Sequence, residues 1–134
     1  MNYSFLQITS IYPACIRQFE KDVFNHDVLP FEELYKKFVN SRFDTSDYFS
    51  HYLTQKGHRA WDIFSNVESI QKKWADENNI KYSADNWIRE IAFAQIQAFK
   101  PDIIYIDDLY LFDSGFCALV RKQFPGIVIG GWRF

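Results

Sequence analysis

Apolar residues fall into two rhythms along the 134 residues, short unbroken runs and longer stretches that repeat at helical spacing. Residues 5–9 (Phe-Leu-Gln-Ile-Thr) form the first unbroken run, which stops at Ser10-Ile11-Tyr12-Pro13 and predicts a buried strand. Pro13 suits a first helical position, where its missing N–H is not needed, and Cys15, Ile16 and Phe19 then recur on one face. Residues 25–29 break that pattern. Pro30-Phe31-Glu32-Glu33 restarts it with carboxylates at the positive end of a helix dipole, and Leu34, Tyr35, Phe38 and Val39 supply the apolar stripe. Tyr48, Phe49, Tyr52 and Leu53 mark a third helix, with Asp44 or Thr45 as its expected cap and Gly57 as its stop.

Residues 59–64 (Arg-Ala-Trp-Asp-Ile-Phe) predict a second strand, and residues 69–78 a mostly polar helix with Ile70 and Trp74 facing inward. Ser83 is placed to cap the longest helix, which runs through Trp87, Ile88, Ile91, Ala92 and Ile96 to Phe99 and closes at Lys100-Pro101. Residues 102–106 carry the strongest strand signal. A loop over 107–113, a helix over 114–124 capped by Asp113 or Ser114, a Pro125-Gly126 turn and a fourth strand over 127–132 complete the chain. Strands that are continuous apolar runs, each separated from the next by helices, imply right-handed crossovers and a parallel sheet covered on both faces. The expected fold is therefore α/β, a Rossmann-like parallel sheet of about four strands in a single domain over residues 1–134. The fourth strand lies so near residue 134 that the unit is expected to be incomplete, a piece of a larger doubly wound protein.

Composition changes this picture in three ways. A formal net charge of -2, from 15 basic and 17 acidic residues, lacks the electrostatic footprint of a phosphate-backbone binder, so nucleic acid is not an expected partner. No basic segment followed by a long apolar one opens the chain and no run is long enough to span a bilayer, which points to a cytoplasmic location with Cys15 and Cys117 as buried free thiols. Fourteen Phe, eight Tyr and four Trp read first as a bulky core with some surface left over. The alternative is that part of this aromatic surface meets a carbohydrate or a second domain, and together with an unfinished sheet edge it makes self-association an expectation.

In an open parallel sheet, ligands bind beyond the carboxyl ends of the strands, which places attention on residues 10–12, 65–66, 107–110 and 132–133. The turn after the first strand holds no glycine, so a dinucleotide fingerprint is absent, and no Walker A loop occurs. This counts against a flavodoxin-like or nucleotide-binding enzyme. Asp107 and Asp108 form the most suggestive polar pair, since a carboxylate at a strand end can act as a general base or accept sugar hydroxyls, although Asp is also a turn former. Tyr110 and Phe112 in the same loop suit stacking on a sugar ring or packing on a neighbouring domain. His51 lies one helical turn after Asp47, a spacing for a base and its orienting carboxylate that equally describes a solvated surface pair. With three His and no Cys pair there is no zinc signature, and no metal site is expected. Arg133 beside Trp132 is a candidate anion contact.

Three segments together look familiar: Leu6-Gln7-Ile8-Thr9-Ser10-Ile11-Tyr12-Pro13, Ser46-Asp47-Tyr48-Phe49-Ser50-His51-Tyr52-Leu53 with Gly57-His58, and Phe99-Lys100-Pro101-Asp102-Ile103-Ile104-Tyr105-Ile106 with Asp107-Asp108-Leu109-Tyr110. Over essentially the whole chain they resemble the amino-terminal domain of bacterial GT-B glycosyltransferases of the spore-maturation or group-one kind. The resemblance implies a metal-independent transferase of two Rossmann-like domains. The half present here would hold the hydroxyl acceptor, commonly a carbohydrate, and the second domain would hold a nucleotide sugar as the only cofactor. On that reading Tyr12, Asp108, Tyr110 and Trp132 contact the acceptor, Asp107 or His51 activates its hydroxyl, and the isolated half does not turn over. An Asp107→Ala substitution is then expected to lower turnover while leaving the melting temperature nearly unchanged. The rival expectation is a non-catalytic binding or regulatory module on a degenerate Rossmann fold.

Overall fold

The computed structural model describes residues 1–43 and 47–132. The capping role expected of Asp44 or Thr45 and the anion contact expected of Arg133 fall on residues outside that set. The elements run β1 (Ser4–Thr9), α1 (Pro13–Asp22), α2 (Phe31–Asn40), α3 (Tyr48–Gln55), β2 (Arg59–Phe64), α4 (Glu68–Glu77), α5 (Trp87–Phe99), β3 (Ile103–Ile106), α6 (Ser114–Gln123) and β4 (Val128–Gly131). The four strands form one sheet in the order β2-β1-β3-β4, and every pairing is parallel. The fold is α/β and Rossmann-like. Among the described residues no helix is long and apolar enough to cross a membrane.

β1 is buried along its entire length because it has a strand on each side and helices above and below. That position explains why its sequence is a continuous apolar run rather than an alternation. Side chains still alternate between faces, and the register sorts them. Leu6 and Ile8 of β1, Ile63 of β2 and Ile104 and Ile106 of β3 share one face, where Ala92 and Ile96 of α5 and Phe116, Cys117 and Val120 of α6 cover them. The opposite face carries Phe5, Gln7, Asp62, Phe64 and Tyr105 in register. Phe64 packs there with Phe19 of α1 and Leu34 and Phe38 of α2, while α3 lies against β2 and β1. Each fully buried Leu, Ile or Phe in these layers contributes about 1.5–3 kcal/mol of transfer free energy.

Local signals account for most boundaries. Pro13 opens α1, Gly57 follows α3 at φ 86°, and the Asp113 carboxylate caps α6 by accepting from the Phe116 amide at 3.0 Å. Two details differ from expectation. Ser83 does not cap α5, which starts at Trp87 after Asn86; Ser83 heads the preceding turn, its Oγ accepting from the Asn86 amide at 3.2 Å while Glu90 accepts from the Ser83 amide at 2.6 Å. The reciprocal Ser and Glu contacts bind the turn to the helix without making Ser83 its cap. Cys117 is buried as expected, but Cys15 is only half-buried because α1 packs chiefly through Phe19.

Candidate functional site

The strand order defines where a ligand crevice can form. From β1 the chain moves outward to β2, then returns across β1 to place β3 on its other side, so the switch point lies between the carboxyl ends of β1 and β3. Asp107 and Asp108 emerge there from β3, directly opposite Ser10 at the end of β1. The Asp107 carboxylate accepts a hydrogen bond from Thr9 Oγ1 and another from the Ser10 amide at 3.2 Å. Ser10 Oγ donates to Asp108 Oδ2 at 2.8 Å and lies 3.2 Å from Ser65 Oγ, which itself donates to the Thr9 carbonyl at 3.0 Å.

Asn66 extends the seam, its side chain accepting from the Ile11 amide and donating to the Ile11 carbonyl, both at 2.8 Å. The exits of β2, β1 and β3 are therefore laced together by hydroxyls, an amide and two half-buried carboxylates. Those bonds revise one expectation: Asp107 is a structural acceptor for two donors, so its removal costs stability as well as any chemistry. Asp108 is likewise engaged, accepting from the Leu111 amide at 3.0 Å to shape the following loop.

Two exposed aromatic residues lie in the adjoining segments, Tyr12 at the end of the β1 exit and Tyr110 in the β3 loop, at 70% and 72% exposure. Phe112 does not join them. It is fully buried and packs on Phe116 with ring centroids 4.9 Å apart, because Arg89 grips the loop by donating to the Leu111 carbonyl at 2.7 Å and pairing with Asp113 at 2.9 Å. That pairing, with the Phe116 amide contributing most, holds the Asp113 carboxyl below its ordinary range.

His51 is placed elsewhere. Its backbone amide donates to the Asp47 carbonyl, but the Asp47 carboxylate pairs with Arg42 at 3.0 Å and the ring accepts from Gln55 Nε2 at 3.1 Å. The base and orienting carboxylate are therefore not joined, and the exposed His51 ring does not line the cleft that Asp107 borders. Among the described residues no group of three or more His, Cys, Asp or Glu comes together.

Comparison of the chain with protein-family models, curated proteins and solved structures finds no match.

Beside the switch point, a cleft of about 490 Å³ opens between α3 and the sheet face that carries Gln7 and Tyr105. Its walls are Tyr48, Phe49, Tyr52, Tyr105 and Trp132, with Lys56 and Asp107 as its charged groups. Phe49 sits at the centre of this wall, with its ring 5.5 Å from Tyr105 and 5.7 Å from Phe5. Of the expected site residues, the structure brings Asp107 and Trp132 to this cleft and Asp107 and Asp108 to the switch point.

Under α3 lies a feature that sequence reading passed over. Asp62, in the middle of β2, is completely buried and accepts from Ser50 Oγ of α3, while the Tyr35 hydroxyl of α2 donates to its backbone carbonyl at 3.2 Å. Burial pushes the Asp62 carboxyl up from 3.8 to about 7, with the nearby Asp47 charge adding to the shift and the Ser50 hydroxyl opposing it. The Tyr35 hydroxyl is also driven well above its ordinary value, first by burial and then by Asp62. Asp62 Oδ1 and Gln7 Oε1 are both buried without a hydrogen-bond partner, and the two residues are direct partners in the β1–β2 register. The available signal was a lone acid flanked by apolar Ala60, Trp61, Ile63 and Phe64.

Proposed function

We propose that this chain is the acceptor-side half of a sugar-nucleotide-dependent glycosyltransferase, working with a second Rossmann-like domain that holds the nucleotide sugar. The observation that supports this most is the switch point itself, where two adjacent carboxylates meet Thr9 and Ser10 at the ends of β1 and β3, with exposed Tyr12 and Tyr110 in the segments that follow. A carboxylate can take the proton of an attacking hydroxyl, and tyrosines at a crevice rim can stack on a ring. Asp107 is the better candidate for that proton transfer than His51, since it borders both the crevice and the aromatic cleft. Asp108, Tyr12, Tyr110 and Trp132 then position the acceptor.

The test is calorimetric titration of the full-length protein with common nucleotide sugars, followed by assays for donor hydrolysis and transfer to hydroxyl acceptors. Transfer that disappears in an Asp107→Asn variant which remains folded supports the reading. Absence of both binding heat and turnover across those donors counts against it. One observation favours the second reading, a binding module without chemistry: both carboxylates are already engaged in holding β1, β3 and the β3 loop together. Under that reading Asp107→Asn changes the melting temperature alone.

A further inference from the structure

α3 is lightly anchored to the sheet. Among the described residues of α3, Ser50 alone is buried, whereas neighbouring α2 sinks Leu34 and Phe38 into the core. Open space runs along both flanks of the helix. On one side lies the aromatic cleft of about 490 Å³ toward Tyr105, and on the other a groove of about 330 Å³ toward Tyr35 and Val39 of α2. Between them the Ser50 hydroxyl donates to the buried Asp62 carboxyl of β2.

That carboxyl has a second oxygen to satisfy. Asp62 Oδ1 and Gln7 Oε1 are both buried without a hydrogen-bond partner, on residues directly opposite each other in the β1–β2 register and on the same face of the sheet. Two adjacent acceptors repel unless a proton lies between them. A neutral carboxyl supplies that proton, with Oδ1–H donating to the Gln7 carbonyl, and both defects are then removed together.

Loss of the proton leaves an anion in the interior. Tyr35 of α2 faces Asp62 but exchanges hydrogen bonds with its backbone, at 3.2 and 3.3 Å. From α3 come the Ser50 hydroxyl and, at the helix start, Asp47, which is paired with Arg42 and whose charge adds to the repulsion; β1 presents uncharged Gln7. None of the groups that face Asp62 is a cation. Hydration is the remaining relief for the anion, and water is nearest along the open flanks of α3.

We propose that α3 is a proton-controlled gate: one proton shared by Asp62 Oδ1 and Gln7 Oε1 keeps the helix seated on the sheet, and its loss lifts the helix, admitting water to Asp62 and widening the aromatic cleft. The step is an acid dissociation in which the proton passes to solvent. Tyr48, Phe49 and Tyr52 move with the helix, so the wall opposite Tyr105 is the part that opens. Burial raises the seated carboxyl to about 7, so the seated state is favoured at low pH and weakens as pH rises through that value. The gate requires neither a sugar nucleotide nor a second domain and is independent of the transferase reading.

The experiment is amide hydrogen exchange of the full chain at pH 5 and pH 8, followed by NMR and expressed as protection factors with the intrinsic pH dependence removed. Amides of residues 51–55 are expected to be less protected than those of β1 and α5, and to lose roughly tenfold to hundredfold in protection between the two pH values. Asp62→Asn, which imitates the neutral acid, is expected to abolish that loss. His51 also lies on α3 and histidine as a class titrates in this range, so the measurement is repeated in His51→Gln, where the loss is expected to persist. In the unchanged protein the Asp62 carboxyl carbon and the Gln7 side-chain amide are expected to titrate with one midpoint.

The proposal is overturned if α3 protection is the same at both pH values, or if it equals that of β1 throughout, since the helix would then leave only with the whole fold. An equal loss in Asp62→Asn, a loss that vanishes in His51→Gln, or Gln7 signals that stay fixed while Asp62 titrates overturns it as well. Should Asp62→Asn fail to melt cooperatively, the joint titration of Asp62 and Gln7 in the unchanged protein decides the question. Donor turnover enters none of these readouts, so the transferase reading stands or falls separately.

Discussion

Replacing Asp62 by Asn tests how this fold tolerates a carboxyl group in its interior. In the folded chain the carboxyl titrates near 7 rather than at 3.8, chiefly because burial penalises the charged form. The unfolded chain loses that proton near pH 4, the folded chain only near 7. Stability from this group is therefore complete below pH 4, declines as pH rises through 7, and is absent above. At about 1.4 kcal/mol per pH unit, the span corresponds to roughly 4 kcal/mol, an upper bound against a total of about 5–15 kcal/mol for an ordinary domain.

Asparagine at position 62 keeps an acceptor for Ser50 Oγ and offers a donor toward Gln7 Oε1, imitating the neutral acid without its titration. Urea unfolding followed by tryptophan fluorescence at pH 5 and pH 8, for both proteins, isolates the effect as a double difference in which every other titrating group cancels. Asp62→Asn is expected to gain about 1–3 kcal/mol on the parent between pH 5 and pH 8, the part of the span that remains above pH 5. An identical gap between the two proteins at both pH values would falsify the argument, because it would mean that Asp62 titrates alike in the folded and unfolded chain.

Asp107→Ala is expected to lower stability by about 1–3 kcal/mol, since Thr9 Oγ1 and the Ser10 amide lose their acceptor, and Asp107→Asn less; thermal melts of the two variants check the order. Gly131→Ala is expected to cost about 1–3 kcal/mol, because a Cβ there would stand 2.7 Å from the Ile106 carbonyl oxygen and force β4 away from β3; unchanged urea unfolding would exclude that close approach. Lys100 closes α5 at φ 53°, a conformation that glycine adopts without steric conflict, so Lys100→Gly should stabilise the chain by about 0.5–1 kcal/mol in the same assay. A loss of stability in that variant would show that contacts of the Lys100 side chain outweigh the backbone strain.

Much of the fold was legible because its signals are local. The β1 run, the Pro13 start of α1, the Gly57 stop of α3 and the Asp113 cap each depend on residues within one turn of one another, and strands separated by helices leave a parallel sheet as the simplest assembly. The carboxyl ends of the strands could be named as the place to look for a site for the same reason. What sequence could not supply was pairing across distance. Thr9 and Asp107 are 98 positions apart, and their bond makes a candidate base also a structural acceptor.

The composition and periodicity of the chain determined its class, its element order and the four exit loops, since those follow from hydrophobic spacing and backbone conformational preference. Tertiary structure alone decided that Phe112 is core while Tyr110 is exposed, that His51 turns to Gln55 rather than Asp47, and that Asp62 sits beside Gln7 with two buried oxygens lacking a partner. Burial and register are properties of neighbours brought together by folding, and a side chain's protonation state, partners and accessible face depend on those neighbours rather than on its own position in the chain.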